Sequence, residues 1–318
     1  MKQHQQSVWT DAFFGACWAL LAICSTSTLG AAETPVKAAE PTFEVRKVLD
    51  IPYYDGADAD PVKHKLDLYL PKDQKDFPVI FFVHGGAWRH GDKSSFLGFY
   101  GMLASSWAKH GIGVVLPNYR LSPGVSHPEH IKDVARAFAW THQNIGKYGG
   151  RSDAIFVSGH SAGGHLAALL ATDESYLKDQ GLSLKAIQGA IPLSGVYRIA
   201  AGSHMYDAMF GEDRHVRRQA SPINHASSEV PPFLIIYGDQ DLAMCNKQCA
   251  EEFCTALQEH KASAKSMEVP DRNHVTLLIK AASDTDPVNK AVRDFIAEHT
   301  REKMAEQQRP IANGLSAK

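Results

Sequence analysis

One stretch decides the fold of this chain: residues 154–170, which read AIFVSGHSAGGHLAALL. A short apolar run is followed by the turn Gly159-His160-Ser161-Ala162-Gly163 and then by an Ala/Leu-rich segment of helical composition. A strand, a sharp G-x-S-x-G turn and a helix in this order lift a serine hydroxyl above the end of a sheet. Glycines on both sides leave room for such a strained turn. The stretch therefore predicts Ser161 as a nucleophile.

A second motif, upstream of the serine, strengthens this prediction. The apolar run 79–83 leads directly into His84-Gly85-Gly86-Ala87-Trp88. A glycine-containing loop after an early strand supplies backbone N–H groups that stabilise a developing oxyanion. A further donor is expected at the positive N-terminal end of the helix after the serine. The candidate oxyanion hole consists of Gly85, Gly86, Ala87 and Ala162.

The order of apolar and helical segments predicts an α/β fold over residues 43–303. Alternating segments at 43–51 and 63–71 indicate an antiparallel pair of strands at one edge. Apolar strands then alternate with helical patterns, which is typical of a parallel sheet covered on both faces. We expect a mostly parallel sheet of about eight strands with helices on both faces, and a frayed tail over 304–318.

Residues 199–228 interrupt this alternation between two predicted strands. They mix apolar side chains, including Met209 and Phe210, with a charged run at 213–218. We interpret the segment as a short lid-like insertion near the strand ends, where ligands bind in such sheets. The alternative is a plain pair of surface helices. The candidate pocket side chains are Trp88, Tyr119, Met209 and Phe210.

A serine nucleophile needs a histidine base and a carboxylate that orients it. His274 follows the predicted strand 265–269, and two carboxylates, Asp239 and Asp241, follow the strand 233–237. Asp239 lies nearest the turn and is suited to capping it. Asp241 lies farther out, where its side chain can return toward His274. The predicted triad is therefore Ser161, Asp241 and His274.

Two other histidines flank the candidate nucleophile. His160 is expected to point away from the catalytic groups, and His165, one helical turn after the serine, is expected to pack or cap. The sequence predicts no metal site, because no histidine or second cysteine pair stands at zinc spacing beside the late cysteines. It also predicts no cofactor.

The N-terminus has the pattern of a secretory signal. Residues 12–24 are uncharged and mostly apolar, and they are followed by small residues up to Ala32. We expect a signal peptide over 1–32, a linker over 33–42 and export to the periplasm or medium. An uncleaved membrane anchor is the alternative, although the apolar run is short for a span.

The composition indicates which classes of partner to expect and how many cysteines are available for disulfide bonds. A net charge of −2 with 44% hydrophobic residues favours neither nucleic acid nor an anionic membrane surface as partner. We expect a small-molecule partner and no stable membrane span once the signal is removed. Three cysteines remain after signal removal, Cys245, Cys249 and Cys254. One disulfide with one free thiol and three unbonded thiols are both open alternatives.

Several quoted motifs together resemble the α/β-hydrolase superfamily. They are the loop at 84–88 and the stretches at 118–123, 160–166, 238–241 and 273–274. Within the superfamily, the chain looks like the carboxylesterases related to bacterial feruloyl esterases, hormone-sensitive-lipase-like enzymes and kynurenine formamidases. The resemblance implies an α/β-hydrolase fold with Ser161 as nucleophile, Asp241 and His274 as its partners, and the 84–88 loop in the oxyanion hole. Ala87 departs from the third glycine of hormone-sensitive-lipase relatives and favours the other two branches.

The predicted function is hydrolysis of short acyl or aromatic carboxylic esters through an acyl-enzyme. An arylformamidase uses the same chemistry, but export argues against it. A serine peptidase is disfavoured because the chain lacks the gating domain of prolyl-peptidase relatives. A binding protein without catalytic activity is disfavoured because every triad and oxyanion position is filled. The small-molecule ester is therefore the expected substrate.

Overall fold

Eight strands form the sheet that organises the part of the chain described by the computed structural model, residues 42–95 and 98–307. In chain order the strands are β1 (Val45–Pro52), β2 (Lys65–Pro71), β3 (Phe77–Val83), β4 (Gly113–Pro117), β5 (Gly150–His160), β6 (Gly189–Leu193), β7 (Phe233–Gln240) and β8 (Ala264–Asn273). Across the sheet their order is β1-β2-β4-β3-β5-β6-β7-β8. β2 pairs antiparallel with both β1 and β4, and the remaining neighbours pair in parallel.

Helices connect the parallel strands and cover both faces of the sheet. They are α1 (Phe99–Lys109), α2 (Glu129–Asn144), α3 (Ala162–Thr172), α4 (Ser175–Lys178), α5 (Asp207–Phe210), α6 (Arg214–Gln219), α7 (Lys247–Glu259), α8 (His274–Ala281) and α9 (Pro287–Gln307). Short 3-10 turns lie at Ile145–Tyr148, Leu184–Ala186, His204–Tyr206 and Pro222–His225.

The alternation of side chains along the strands divides the core into two layers. In β3, Phe81 packs with α2, α3 and α7 on one face, whereas Phe82 packs with α1, α8 and α9 on the other. Every residue of α3 is buried, which agrees with its Ala/Leu-rich composition and its central position. The predicted mostly parallel sheet with helices on both faces is therefore confirmed.

The structure corrects one boundary and adds one helix. Helix α9 runs to Gln307, so the predicted tail does not begin at residue 304. Helix α8 was not predicted, because its eight residues directly follow a strand without a loop. Asn273 caps it, accepting hydrogen bonds from the amides of Val275 at 3.1 Å and Thr276 at 2.8 Å. The insertion at 199–228 lies between β6 and β7 and contains α5 and α6.

The N-terminal predictions concern residues 1–41, which lie outside the described part of the chain, as do 96–97 and 308–318. The signal peptide, its cleavage site and most of the linker are therefore predictions from sequence. Within the described residues, the helices are either too short or too polar to traverse a bilayer.

Candidate active site

Ser161 occupies a strained turn between β5 and α3. Its backbone has φ 57° and ψ −119°, a left-handed conformation that costs a non-glycine residue about 1–3 kcal/mol. The Ser161 amide donates to the carbonyl of Leu193 in β6 at 3.0 Å, which holds the turn against the sheet. A Cβ on Gly163 would lie 2.1 Å from the Val83 carbonyl oxygen. The glycine of the motif is therefore required by the close approach of β3.

Asp241 and His274 form a hydrogen-bonded pair beyond the ends of β7 and β8. The distance between Asp241 Oδ1 and His274 Nδ1 is 2.7 Å. The Asp241 side chain has no exposed surface, and His274 retains 9% of its side-chain exposure. Because Nδ1 donates to the carboxylate, the neutral ring keeps its lone pair on Nε2, as a general base requires.

Further donors hold the Asp241 carboxylate in its charged form. Its Oδ2 accepts from the Ser194 hydroxyl at 2.5 Å and from the Gly238 amide at 3.2 Å. Burial by itself raises the pKa of Asp241, but the hydrogen bond and charge of His274, with the Ser194 and Gly238 bonds, lower it below its ordinary value. Ser194, at the end of β6, was not predicted as a site residue. Its position after a parallel strand is the signal that could have identified it.

The other candidate carboxylate, Asp239, accepts a hydrogen bond from the backbone instead. Its Oδ1 accepts from the amide of Arg272 at 3.0 Å, and its side chain is exposed. That hydrogen bond is the main cause that lowers the pKa of Asp239. The structure therefore brings Asp241, and not Asp239, to His274.

His160 lies against the candidate base, which corrects the expectation that it points away. Its ring centroid is 4.6 Å from that of His274, and its Nε2–H donates to the His274 carbonyl at 2.9 Å. Burial lowers the pKa of His160 to about 3, and the neighbouring His274 adds to this shift. A neutral His160 packs beneath the His274 ring and limits its rotation.

The loop at 84–88 presents backbone amides through an unusual conformation. Gly86, Ala87 and Trp88 have positive φ angles of 118°, 53° and 57°. A Cβ on Gly86 would lie 2.1 Å from the His90 carbonyl oxygen, so only glycine fits there. Within the described residues, no group accepts a hydrogen bond from the amides of Gly86, Ala87 or Ala162. These three amides are the candidate oxyanion donors.

Two buried tyrosines anchor this loop. The Gly85 amide donates to the Tyr100 hydroxyl at 2.9 Å, and the Tyr119 hydroxyl donates to the His84 carbonyl at 3.1 Å. The Tyr119 ring also stacks on that of His84, with centroids 4.4 Å apart. The prediction that the Gly85 amide serves the oxyanion is therefore wrong, because its proton already has an acceptor.

His165 ties the same loop to the insertion. Its Nδ1 accepts from the Trp88 indole N–H at 3.2 Å, and its Nε2–H donates to the Ala220 carbonyl at 2.7 Å. Burial lowers the pKa of His165 to about 3, so the ring stays neutral and keeps both contacts. His165 is thus the packed histidine that the sequence predicted.

The four candidate pocket side chains belong mainly to the core. Tyr119 has no exposed surface and packs in the core, so its role in the pocket stays a prediction. Trp88, Met209 and Phe210 retain 3%, 3% and 2% exposure. The Trp88 and Phe210 rings pack edge to face at 5.1 Å. Burying large apolar side chains is more favourable than exposing them to water, and the insertion therefore packs on the 84–88 loop.

A cysteine that the sequence analysis did not assign to the site adjoins the acid–base pair. One ligand atom each from Asp241, Cys245 and His274 lies within 4.8 Å of the other two. Burial, with the charge of Asp241, raises the pKa of the Cys245 thiol well above its ordinary value. Cys245, Cys249 and Cys254 are all free, which matches the unbonded alternative. The spacing of cysteines and histidines along the sequence could not reveal this cluster, because its members follow two different strands.

Comparison with known proteins finds a matching family model and relatives that are named as ester hydrolases. The BD-FAE family model matches residues 66–257. Esterase LipQ of Mycobacterium tuberculosis is 33% identical over 78% of this chain and 61% of its own length. The probable carboxylic ester hydrolase LipM of the same organism is 34% identical over 70% of this chain and 54% of its own length. The chain thus spans between half and two thirds of these curated relatives.

A solved structure shows the same architecture. A truncated carbohydrate esterase from gut microbiota superimposes with a TM-score of 0.69, covering 83% of this chain and 99% of that one at 22% identity. At this identity the likeness concerns the fold alone. Because the family model spans more than half of the sequence, the chain belongs to the BD-FAE family, and its sheet is that of an α/β-hydrolase.

Proposed function

We propose that this chain is a serine carboxylic ester hydrolase that acts on small-molecule esters with short acyl or aromatic groups. The single observation that carries the proposal is the buried Asp241–His274 pair, 2.7 Å apart, at the same sheet edge as the strained Ser161 turn. A buried carboxylate with an oriented imidazole and an elbow serine is the constellation of acyl transfer. The names of LipQ and LipM support the same reaction class.

In the proposed first step, His274 Nε2 accepts the proton of the Ser161 hydroxyl as its oxygen attacks the ester carbonyl. Asp241 holds the ring with Nε2 free and stabilises the imidazolium that forms. The imidazolium then donates its proton to the leaving alcohol, and the acyl group remains on Ser161. A water molecule activated by the same imidazole releases the acid and restores the serine.

The tetrahedral intermediates carry a negative charge on the former carbonyl oxygen. The amides of Ala162, Gly86 and Ala87 are the proposed donors to it. Ala162 begins α3, so the helix N-terminus adds its positive potential. Losing one such donor typically raises the barrier by about 3 kcal/mol.

Export of the mature chain remains part of the proposal. The uncharged run at 12–24 and the small residues before Glu33 support a secretory signal. An ester hydrolase in the periplasm or medium meets small esters from outside the cell, which agrees with the substrate class proposed here.

A panel assay tests the proposed function. The purified protein is assayed on p-nitrophenyl esters of increasing acyl length, a feruloyl ester and N-formylkynurenine, with Ser161→Ala as the matched control. We expect turnover of short acyl or feruloyl esters that Ser161→Ala reduces by at least about 10³-fold. Preference for the formamide, or equal turnover by the two proteins, would refute the proposal.

A further inference from the structure

We propose that Asp241, Cys245 and His274 form a binding site for a thiophilic divalent cation, represented by Zn²⁺, and that its occupation blocks hydrolysis. The blocking part rests on the proposed function, whereas the binding part does not. Each residue contributes a different ligand type: a carboxylate oxygen, a sulfur and an imidazole nitrogen. All three are ordinary ligands of Zn²⁺.

The three ligand atoms are nearly close enough to share one ion. They lie within 4.8 Å of one another, whereas the ligands of a tetrahedral zinc ion are separated by roughly 3.5 Å. Rotation about side-chain bonds is the movement that would close this difference. Asp241 and Cys245 lie on one connection after β7, and His274 begins α8, so the ligands come from two separate parts of the chain.

The charges of the cluster suit a divalent cation. The Asp241 carboxylate and a Cys245 thiolate together carry two negative charges, which neutralise the ion where a net charge would be costly. Cys245 is 1% exposed and His274 7%, so water competes little for the ion. Sulfur disfavours Mg²⁺ and Ca²⁺, which prefer oxygen ligands, and selects Zn²⁺ or Cd²⁺. Binding exchanges the thiol proton for the metal.

Metal binding at this cluster is incompatible with base catalysis through either ring nitrogen. Coordination through Nδ1 replaces the proton donated to Asp241 and forces the ring proton onto Nε2. That nitrogen then cannot accept a proton from Ser161. Coordination through Nε2 occupies the base itself. Zn²⁺ is therefore expected to inhibit the enzyme reversibly.

The first test measures ester hydrolysis against Zn²⁺ concentration. Cys245→Ala removes one ligand, and Cys249→Ser, which alters the more exposed thiol four residues away, is the matched control. Wild type and Cys249→Ser should be inhibited and should recover with a chelator. Cys245→Ala should need more than about 100-fold more Zn²⁺, since even changes around metal ligands cost 10–100-fold. Absence of inhibition, or equal sensitivity of wild type and Cys245→Ala, would overturn the inhibitory site.

The second test measures binding without relying on activity. Co²⁺ is titrated into Ser161→Ala and into Ser161→Ala/Cys245→Ala, with Cys245→Val replacing Cys245→Ala if circular dichroism shows unfolding. A thiolate-to-cobalt charge-transfer band should appear only in the protein that keeps Cys245. A missing band in Ser161→Ala refutes the site, even if the ester activity is real. A band in a chain that hydrolyses no ester supports the site and overturns only the proposed function.

Discussion

Two neighbouring carboxylates, Asp239 and Asp241, have different roles because they differ in position and in burial. Asp239 still belongs to β7, is exposed and accepts from the Arg272 amide. Asp241 lies just past the strand, where its buried carboxylate meets the His274 ring. Two positions along the chain thus separate a turn-stabilising acid from the candidate partner of the base.

This division predicts a large difference between two conservative variants. Asp241→Asn should lower kcat for ester hydrolysis by about three to four orders of magnitude, because an amide no longer fixes the histidine tautomer. Asp239→Asn should lower it by less than about tenfold, since only a backbone hydrogen bond is weakened. Steady-state kinetics on one ester checks both values. The opposite ranking of the two variants would contradict the assignment of Asp241.

Residues that sit in motifs could be identified from sequence, and those brought in by tertiary packing could not. Ser161 and His274 stand at recognisable positions after strands. Cys245 follows β7 and meets His274, which follows β8, only in the folded sheet. Its residue type alone carries no signal, because cysteine is also common as an ordinary buried residue.

At the element scale, the insertion between β6 and β7 is held by one buried cation. The Arg217 guanidinium pairs with Asp207 and donates to the carbonyls of Gly211, Ala200 and Ser203 at 2.7, 2.8 and 2.9 Å. Its side chain is 1% exposed. The insertion therefore has a polar interior of its own and an apolar face against the 84–88 loop.

Truncating that apolar face should destabilise the protein. Phe210→Ala removes a ring that is 2% exposed and packs on Trp88 and His165, which should cost about 3 kcal/mol of unfolding free energy. Met205→Ala, at a side chain that is 49% exposed in the same insertion, is the control and should cost less than about 0.5 kcal/mol. Urea unfolding measures both. Equal stability of the two variants would show that the insertion does not pack as described.

The strands were predictable because their apolar runs are long and regular, but the packing of the insertion and the existence of α8 were not. The apolar residues in 199–228 indicate that part of the segment is buried. The sequence does not distinguish side chains that face a pocket from side chains that pack in the core. Helix α8 lacks a turn before it, and its strongest signal is the Asn273–Thr276 capping box, which only the structure reveals as such.

At the scale of the whole molecule, Asp133 joins separate parts of the chain. Its carboxylate lies 3.0 Å from His64 Nε2 and accepts from the Arg120 guanidinium at 2.8 Å. Burial by itself raises the pKa of Asp133, but the hydrogen bonds from His64 and Arg120 outweigh it and bring the pKa to about 2. The folded state therefore favours the ionised form more strongly than the unfolded state does.

This lowered pKa predicts how stability depends on acid. The contribution of the ionised Asp133 to the stability of the folded state should be complete above the ordinary pKa of 3.8. It should be lost as the pH falls toward about 2. The difference in unfolding free energy between wild type and Asp133→Asn should shrink over that interval by about 2 kcal/mol. Denaturant unfolding at several pH values measures the difference. A difference that stays constant or grows on acidification would contradict the prediction.

Export is also a property of the whole chain. We predict that the mature protein in its native host begins near Ala32 or Glu33, because the apolar run and the small residues before this point suit signal peptidase. N-terminal sequencing of the native protein decides this. An intact Met1 on protein from the soluble cytoplasmic fraction is the contrary result.

Ser161 is proposed as the nucleophile that forms an acyl-enzyme. The most direct measurement is incubation with a fluorophosphonate, followed by mass spectrometry of the intact protein and of its peptides. We expect one added phosphonyl group, located on Ser161, with loss of ester hydrolysis in proportion to labelling. Labelling of a different serine, or an unlabelled protein that still hydrolyses esters, would contradict it.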